Sequence, residues 1–216
     1  GSLAVLGALV LTFTRGAWLS CLVAMGVYLK LHSTRRLRLM PLGLVLLAVV
    51  VVNVSGVSEL VLERLRDAYA NYVVGFASTT RGAAYGYVGA IVNDHPAMGL
   101  GTGMYRLAAY ELRRTLDIPA PLGVLDTPHN MYLTWLVERG VIGLCAAMYV
   151  LASLFRYLLR AGKAHPEQRD LIWGFVAAFA GLCVNMLTVD TLSFHVTRTI
   201  FWIMAGLAVA LSMPQR

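Results

Sequence analysis

His129 and Asn130 stand together between Pro128 and an apolar run that continues to Leu159. An imidazole ordinarily titrates near neutral pH, so His129 can accept a proton from a hydroxyl group. Asn130 could orient this ring or bond a sugar, and Asp126 is close enough in sequence to modulate it. A lone histidine at a helix end is also often structural. His129 is therefore a candidate general base where a long loop meets an apolar helix.

Arg15 lies between two apolar runs and is followed by Gly16. A guanidinium in the middle of a membrane helix costs several kcal/mol without a partner. We therefore expect one helix to end and another to begin at Arg15 and Gly16, which places Arg15 at a membrane boundary, on the same side as His129. An interfacial arginine that merely snorkels is the alternative.

Arg81 follows Thr80 and precedes Gly82, near the first turn of a helix that we predict to run through Arg81 to about Asn93. Free backbone N–H groups at a helix start, together with a planar guanidinium, suit phosphate oxygens. Arg81 is thus either a phosphate ligand or a solvated loop arginine.

A third polar group surrounds a short predicted turn between Thr188 and Thr199 and comprises Asp190, His195 and Arg198. These side chains belong either to the same polar cavity as the residues above or to a structural ion cluster.

The segment from His95 to Tyr105 contains Gly99, Gly101 and Gly103 at alternate positions. It does not open a βαβ unit, which argues against a dinucleotide fingerprint. Because glycine permits positive φ and close backbone approach, we expect a turn that packs under the site.

The spacing of the possible metal ligands does not predict a metal site. His95, Asp94, His129 and Asp126 form no HExxH or DxD motif, and the three cysteines lie inside apolar runs. We expect a metal-independent protein without a cofactor.

The composition predicts an all-α, polytopic membrane protein. Hydrophobic residues make up 58% of the 216 positions and charged residues 13%, whereas about a quarter of a soluble domain is charged. Several apolar runs approach the roughly 20 residues needed to cross the hydrocarbon of a bilayer.

The chain divides into three parts. Residues 1–57 are predicted transmembrane helices, of which the first is truncated; 58–128 form a large, partly helical external loop; and 129–216 are C-terminal transmembrane helices. The spans are predicted at about 16–31, 40–57, 131–155, 171–187 and 199–211, and a loop helix is predicted from Ser58.

Charge placement orients these spans. The connection from Lys30 to Met40 carries four bases and no acid, and the connection from Arg156 to Asp170 is also rich in bases, so both are predicted to be cytoplasmic. Residues 58–128 contain seven acids and six bases, so this part is predicted to be external. The net charge of +7 is therefore mainly a topology signal and does not indicate nucleic-acid binding.

Three motifs together carry a resemblance to a family. Along the chain these are the Thr14-Arg15-Gly16 segment, then His95-Pro96 with its alternating glycines, then His129-Asn130 followed after nine residues by Gly140-x-x-Gly143. This pattern resembles the O-antigen ligase and polymerase superfamily of bacterial envelope membrane proteins. Thr14 stands where that family commonly has serine.

The resemblance implies a multi-pass protein of the bacterial inner membrane whose active site faces the periplasm. It implies transfer of a glycan from undecaprenyl pyrophosphate, with His129 as general base and with Arg15 and Arg81 binding the pyrophosphate. Asn130, Asp126, Asp190 and Arg198 are supporting candidates, and Asp190 resembles an acid that the family places after its penultimate span.

The acceptor distinguishes the members of such a superfamily. We expect an O-antigen ligase, which transfers to lipid A-core, with O-antigen polymerase and protein O-oligosaccharyltransferase as alternatives. A non-catalytic transporter or flippase of the same lipid-linked glycan is an alternative of another class.

Overall fold

The computed structural model describes residues 15–32, 80–115 and 126–213. Within these ranges the secondary structure is helical and contains no strand, which agrees with the expected all-α class. The helices are α1 (Arg15–Leu31), α2 (Thr80–Asp94), α3 (Tyr105–Thr115), α4 (Met131–Ala164), α5 (Arg169–Asn185) and α6 (His195–Leu211), with a 3-10 turn at Thr191–Ser193. The predicted 40–57 span and the helix predicted from Ser58 lie outside the described residues.

The chain forms two compact units. One contains α1, α5, α6 and the part of α4 from Val150 onward; the other contains α2, α3 and the part of α4 up to Tyr149.

In the first unit, α1 and α5 pack in antiparallel directions. Near the start of α1, Gly16 lies against the Thr188 side chain, whereas at its end His32 Nδ1 lies 3.0 Å from Asp170 Oδ1. Between these ends, the backbone of Gly181 approaches that of Ser20 so closely that a Cβ would lie 2.6 Å from the Ser20 carbonyl oxygen. Small residues therefore allow the two helices to pack tightly.

The core of the second unit joins α2 and α3 to the beginning of α4. Its buried members are Ala83, Ala84, Tyr87, Val88 and Ile91 from α2, Tyr105 and Ala109 from α3, and Val137 from α4. Burial of these apolar side chains is the main force that holds the three helices together.

Two of the predicted helix boundaries need correction. The span predicted to end near Phe155 continues as α4 to Ala164, because the arginines and the lysine of the predicted connection are good helix formers. The last helix begins at His195 rather than near Thr199, so His195 and Arg198 lie in its first turn. The helix predicted through Arg81 to about Asn93 is confirmed as α2.

Among the described helices, α4 alone is long and apolar enough to cross a membrane. Only 11% of its apolar window is buried, whereas the core helix of a soluble protein would be mostly buried. Residues 16–31 and α6 form shorter apolar helices.

Candidate active site

Asn130 begins α4 as its N-cap residue. Its side-chain carbonyl oxygen accepts hydrogen bonds from the backbone N–H groups of Tyr132, at 3.0 Å, and Leu133, at 3.3 Å. These two groups have no partner inside the helix, which is why asparagine is favoured at such positions. The side-chain oxygen of Asn130 therefore stabilises the helix start, and its amide nitrogen is the part suited to a sugar hydroxyl.

His129, immediately before this cap, has a left-handed backbone conformation with φ of 52°. It is the sole non-glycine residue with positive φ in the described ranges. Such a conformation costs about 1 to 3 kcal/mol and persists only where the surroundings enforce it. Here the buried Pro128 precedes His129 and the Asn130 cap follows it, so the residues on both sides hold its backbone in this conformation.

Thr127 contacts His129 twice. Its hydroxyl oxygen lies 3.4 Å from Nδ1 of the ring and accepts the backbone N–H of His129, also at 3.4 Å. The imidazole is partly buried, and no carboxylate in the described part of the chain lies within ion-pair distance of it. Within the described residues the ring is therefore held by a hydroxyl group and not by a carboxylate.

Asp126 forms an ion pair with Arg106 of α3. One of its carboxylate oxygens lies 3.1 Å from Nε of Arg106. The guanidinium carbon of Arg106 also lies 5.9 Å from the centre of the Tyr110 ring. Both charged side chains are exposed. This contact connects α3 to the segment that carries His129, and an influence of Asp126 on His129 remains a prediction.

Gly140 interrupts α4. Its φ of 65° and ψ of −171° are not helical, so α4 consists of a first arm (residues 131–139) and a second arm (residues 141–164). The second arm alone is about 36 Å long, enough to cross about 30 Å of hydrocarbon. The prediction of one continuous span at 131–155 is therefore wrong, because the helix is interrupted at Gly140.

The loop after α2 fills the interruption with backbone hydrogen bonds. The N–H groups of Leu100 and Gly101 donate to the carbonyls of Val137 and Glu138, at 2.9 and 2.8 Å. These carbonyls end the first arm and would otherwise lack partners.

The first backbone N–H groups of the second arm find their acceptors in the same loop. The N–H groups of Val141 and Ile142 donate to the carbonyls of Pro96 and Ala97, at 2.9 and 3.3 Å. Gly99, Gly101 and Gly103 all have positive φ, which confirms the predicted glycine turn. Two of the sequence motifs, His-Pro with its glycines and the Gly-x-x-Gly pair, thus meet at one structural joint.

Arg81 lies in the first turn of α2 with an exposed side chain. It belongs to the same unit as His129, because the next residues, Ala83 and Ala84, are buried in the core that also contains Val137 of the first arm.

The remaining candidates belong to the other unit. Arg15 begins α1, Asp190 is buried in the turn after α5 with 2% of its surface exposed, and Arg198 Nη2 lies 2.6 Å from Nδ1 of His195 in the exposed first turn of α6. Since a guanidinium only donates, Nδ1 of His195 is the acceptor.

The sequence did not predict Thr127 as a partner of His129, the ion pair of Arg106 with Asp126, or the interruption at Gly140. Thr127 had a local signal, since a threonine hydroxyl often bonds the backbone N–H two residues later. No group of three or more histidines, cysteines, aspartates or glutamates that could hold a metal ion occurs in the part of the chain described by the structure.

The search of curated proteins gave no match to the chain. A scan against family models gave a match to the O-antigen ligase family over residues 1–148, which is more than half of the chain and includes the His129-Asn130 and Gly140-x-x-Gly143 motifs. The chain therefore belongs to the O-antigen ligase family, which consists of glycosyltransferases of the O-antigen ligase and polymerase type.

Proposed function

We propose that this protein is an O-antigen ligase, which transfers a glycan from undecaprenyl pyrophosphate to a hydroxyl of lipid A-core. The observation that supports this best is the arrangement at the start of α4. There a partly buried imidazole is held in a strained backbone conformation between Pro128 and the Asn130 cap, with Thr127 as its hydrogen-bond partner. Strain of this kind is concentrated at functional sites.

In the proposed reaction the acceptor oxygen attacks the anomeric carbon of the glycan. The bond from this carbon to the phosphate oxygen breaks, and undecaprenyl pyrophosphate leaves with the electron pair. The hydroxyl proton passes to an imidazole nitrogen of His129, so atoms and charge balance without another reactant. General base catalysis of this type typically contributes about 10²- to 10⁴-fold to a rate.

Negative charge develops on the pyrophosphate as it leaves, and arginines stabilise such charge well. We assign this role to Arg81, in the first turn of α2, and, from the family resemblance, to Arg15 at the start of α1. Asn130, through its amide nitrogen, and Asp126, Asp190 and Arg198 are assigned supporting roles. No metal ion is part of this mechanism.

The lipid tail of the donor requires a protein in a bilayer. The second arm of α4 is long enough to span it, and its apolar residues from Val141 to Val150 are largely exposed. We propose a multi-pass protein of the bacterial inner membrane with its active site on the periplasmic face, in agreement with the distribution of charges in the sequence.

The test uses the full-length protein, purified in detergent, with a lipid-linked glycan donor and lipid A-core as acceptor. Transfer is expected from the wild type and a loss of at least about 10²-fold from His129→Ala. His165→Ala is the matched control, because this partly buried histidine pairs with Glu167 in the other unit. Transfer that survives His129→Ala unchanged would remove the proposed mechanism.

The acceptor determines which reaction is catalysed. A product on lipid-linked polymer would indicate a polymerase, and a product on protein would indicate an O-oligosaccharyltransferase. Movement of the donor across vesicles without any transfer would indicate a transporter. Strong inhibition by EDTA would contradict the metal-independent mechanism.

A further inference from the structure

Thr127 is the residue whose hydroxyl group contacts the proposed general base. The oxygen lies 3.4 Å from Nδ1 and 3.4 Å from the backbone nitrogen of His129. One side chain therefore contacts both the ring and the strained backbone of the same residue. These distances are long for hydrogen bonds, as catalytic hydrogen bonds often are before substrate binds.

A general base needs an imidazole nitrogen without a proton, and the two ring nitrogens are alternatives. A threonine oxygen has two acceptor sites, so it can accept the backbone N–H and Nδ1–H at the same time. With the proton on Nδ1, the lone pair is on Nε2, at the end of the ring remote from the main chain.

We propose that Thr127 is a positioning residue that fixes His129 in the Nδ1–H tautomer, so that Nε2 accepts the proton of the acceptor hydroxyl. This inference rests on the proposed function and deepens it. The carboxylate of Asp126, three positions before His129, pairs with Arg106 of α3, with 3.1 Å between Oδ1 and Nε, and the hydroxyl of Thr127 is the group that contacts the ring.

The experiment measures glycan transfer by the full-length protein with Thr127→Val, which keeps the shape but removes the hydroxyl, and with Thr127→Ser, which keeps it. We expect kcat of Thr127→Val to fall about tenfold, the effect of one hydrogen bond, with an unchanged KM for the donor. Thr127→Ser should remain within about twofold of the wild type. Thr115→Val is the control, since its hydroxyl also makes a hydrogen bond to the main chain of the same unit, in this case to the carbonyl oxygen of Leu112 at 3.1 Å.

Two further measurements separate positioning from a structural role. In a His129→Ala background, Thr127→Val should cause no additional loss, because residues that act as a unit are not additive. The acidic limb of the pH profile of kcat/KM should move to lower pH in Thr127→Val, since an acceptor for Nδ1–H stabilises the protonated ring most. A shift to higher pH would indicate that the threonine hydroxyl donates to Nδ1, and would overturn the proposed tautomer.

The results that would contradict this inference differ from those that would contradict the proposed function. If His129→Ala abolishes transfer but Thr127→Val is fully active, or if Thr127→Val is equally harmful in both backgrounds, only the role of Thr127 is wrong. If the wild type transfers no glycan, or His129→Ala is fully active, both are wrong.

Discussion

The carbonyl group of Ala97 lies against the Cα atom of Gly140, in the space that the Cβ of any other residue would occupy. The same carbonyl accepts the N–H of Ile142, at the start of the second arm of α4. Only glycine combines this close approach with a φ of 65°. The interruption of α4 therefore depends on one residue type at this position, and on a loop placed to complete the backbone hydrogen bonds.

We predict that Gly140→Ala lowers the free energy of unfolding. The positive φ alone should cost about 1 to 3 kcal/mol, and the collision of the methyl group with Ala97 should add to this loss. The measurement is thermal unfolding in detergent, with glycan transfer as a second assay. Gly89→Ala in α2 is the control, because nothing lies within 4 Å of a Cβ there and alanine is the better helix former. Equal unfolding temperatures for the two variants would contradict the role assigned to the joint.

Asn130 gives a second prediction. Asn130→Ala should lower the free energy of unfolding by about 1 kcal/mol, because the N–H groups of Tyr132 and Leu133 lose their acceptor. Asn130→Asp keeps the capping oxygen and should unfold like the wild type. If instead the alanine variant has unchanged stability and only poorer transfer, contact with a sugar is the main role of Asn130.

A third prediction concerns Tyr87, which is completely buried in the core of α2, α3 and the first arm. Its hydroxyl has no hydrogen-bond partner among the described residues. Tyr87→Phe should therefore leave stability unchanged or raise it slightly, since a buried polar group without a partner is unfavourable. Tyr87→Ala should cost about 3 to 5 kcal/mol through the cavity that it leaves. Marked destabilisation by Tyr87→Phe, measured by denaturant unfolding, would show that the hydroxyl has a partner elsewhere in the chain.

Local patterns in the sequence predicted much of this arrangement. The helix through Arg81, its end before Pro96 and the positive φ values of Gly99 and Gly101 all follow from properties of single residues and their neighbours. The cap at Asn130 was not predicted, although asparagine before an apolar run is a typical helix start.

Features formed by residues distant in sequence were not predictable in this way. Apolar residues on both sides of Gly140 favour a continuous helix, and only the loop at 96–101 shows that the helix is interrupted. Arg106 pairs with Asp126, twenty positions away, through the fold of the second unit. Helix α3 was not predicted, although Tyr105, Ala109 and Leu112 have helical spacing on its inner face.

The last prediction tests the phosphate-binding role of Arg81. Arg81→Gln should raise KM for the pyrophosphate donor about 10- to 100-fold, because charge-assisted hydrogen bonds to phosphate are lost. Arg81→Lys should have an intermediate KM, since it keeps the charge but lacks the planar fork. Arg114→Gln is the matched control, because Arg114 is another exposed arginine of the same unit, at the end of α3 rather than the start of a helix. Equal KM values for the two glutamine variants would show that Arg81 contributes only general positive charge, and the donor phosphates would then have to bind elsewhere.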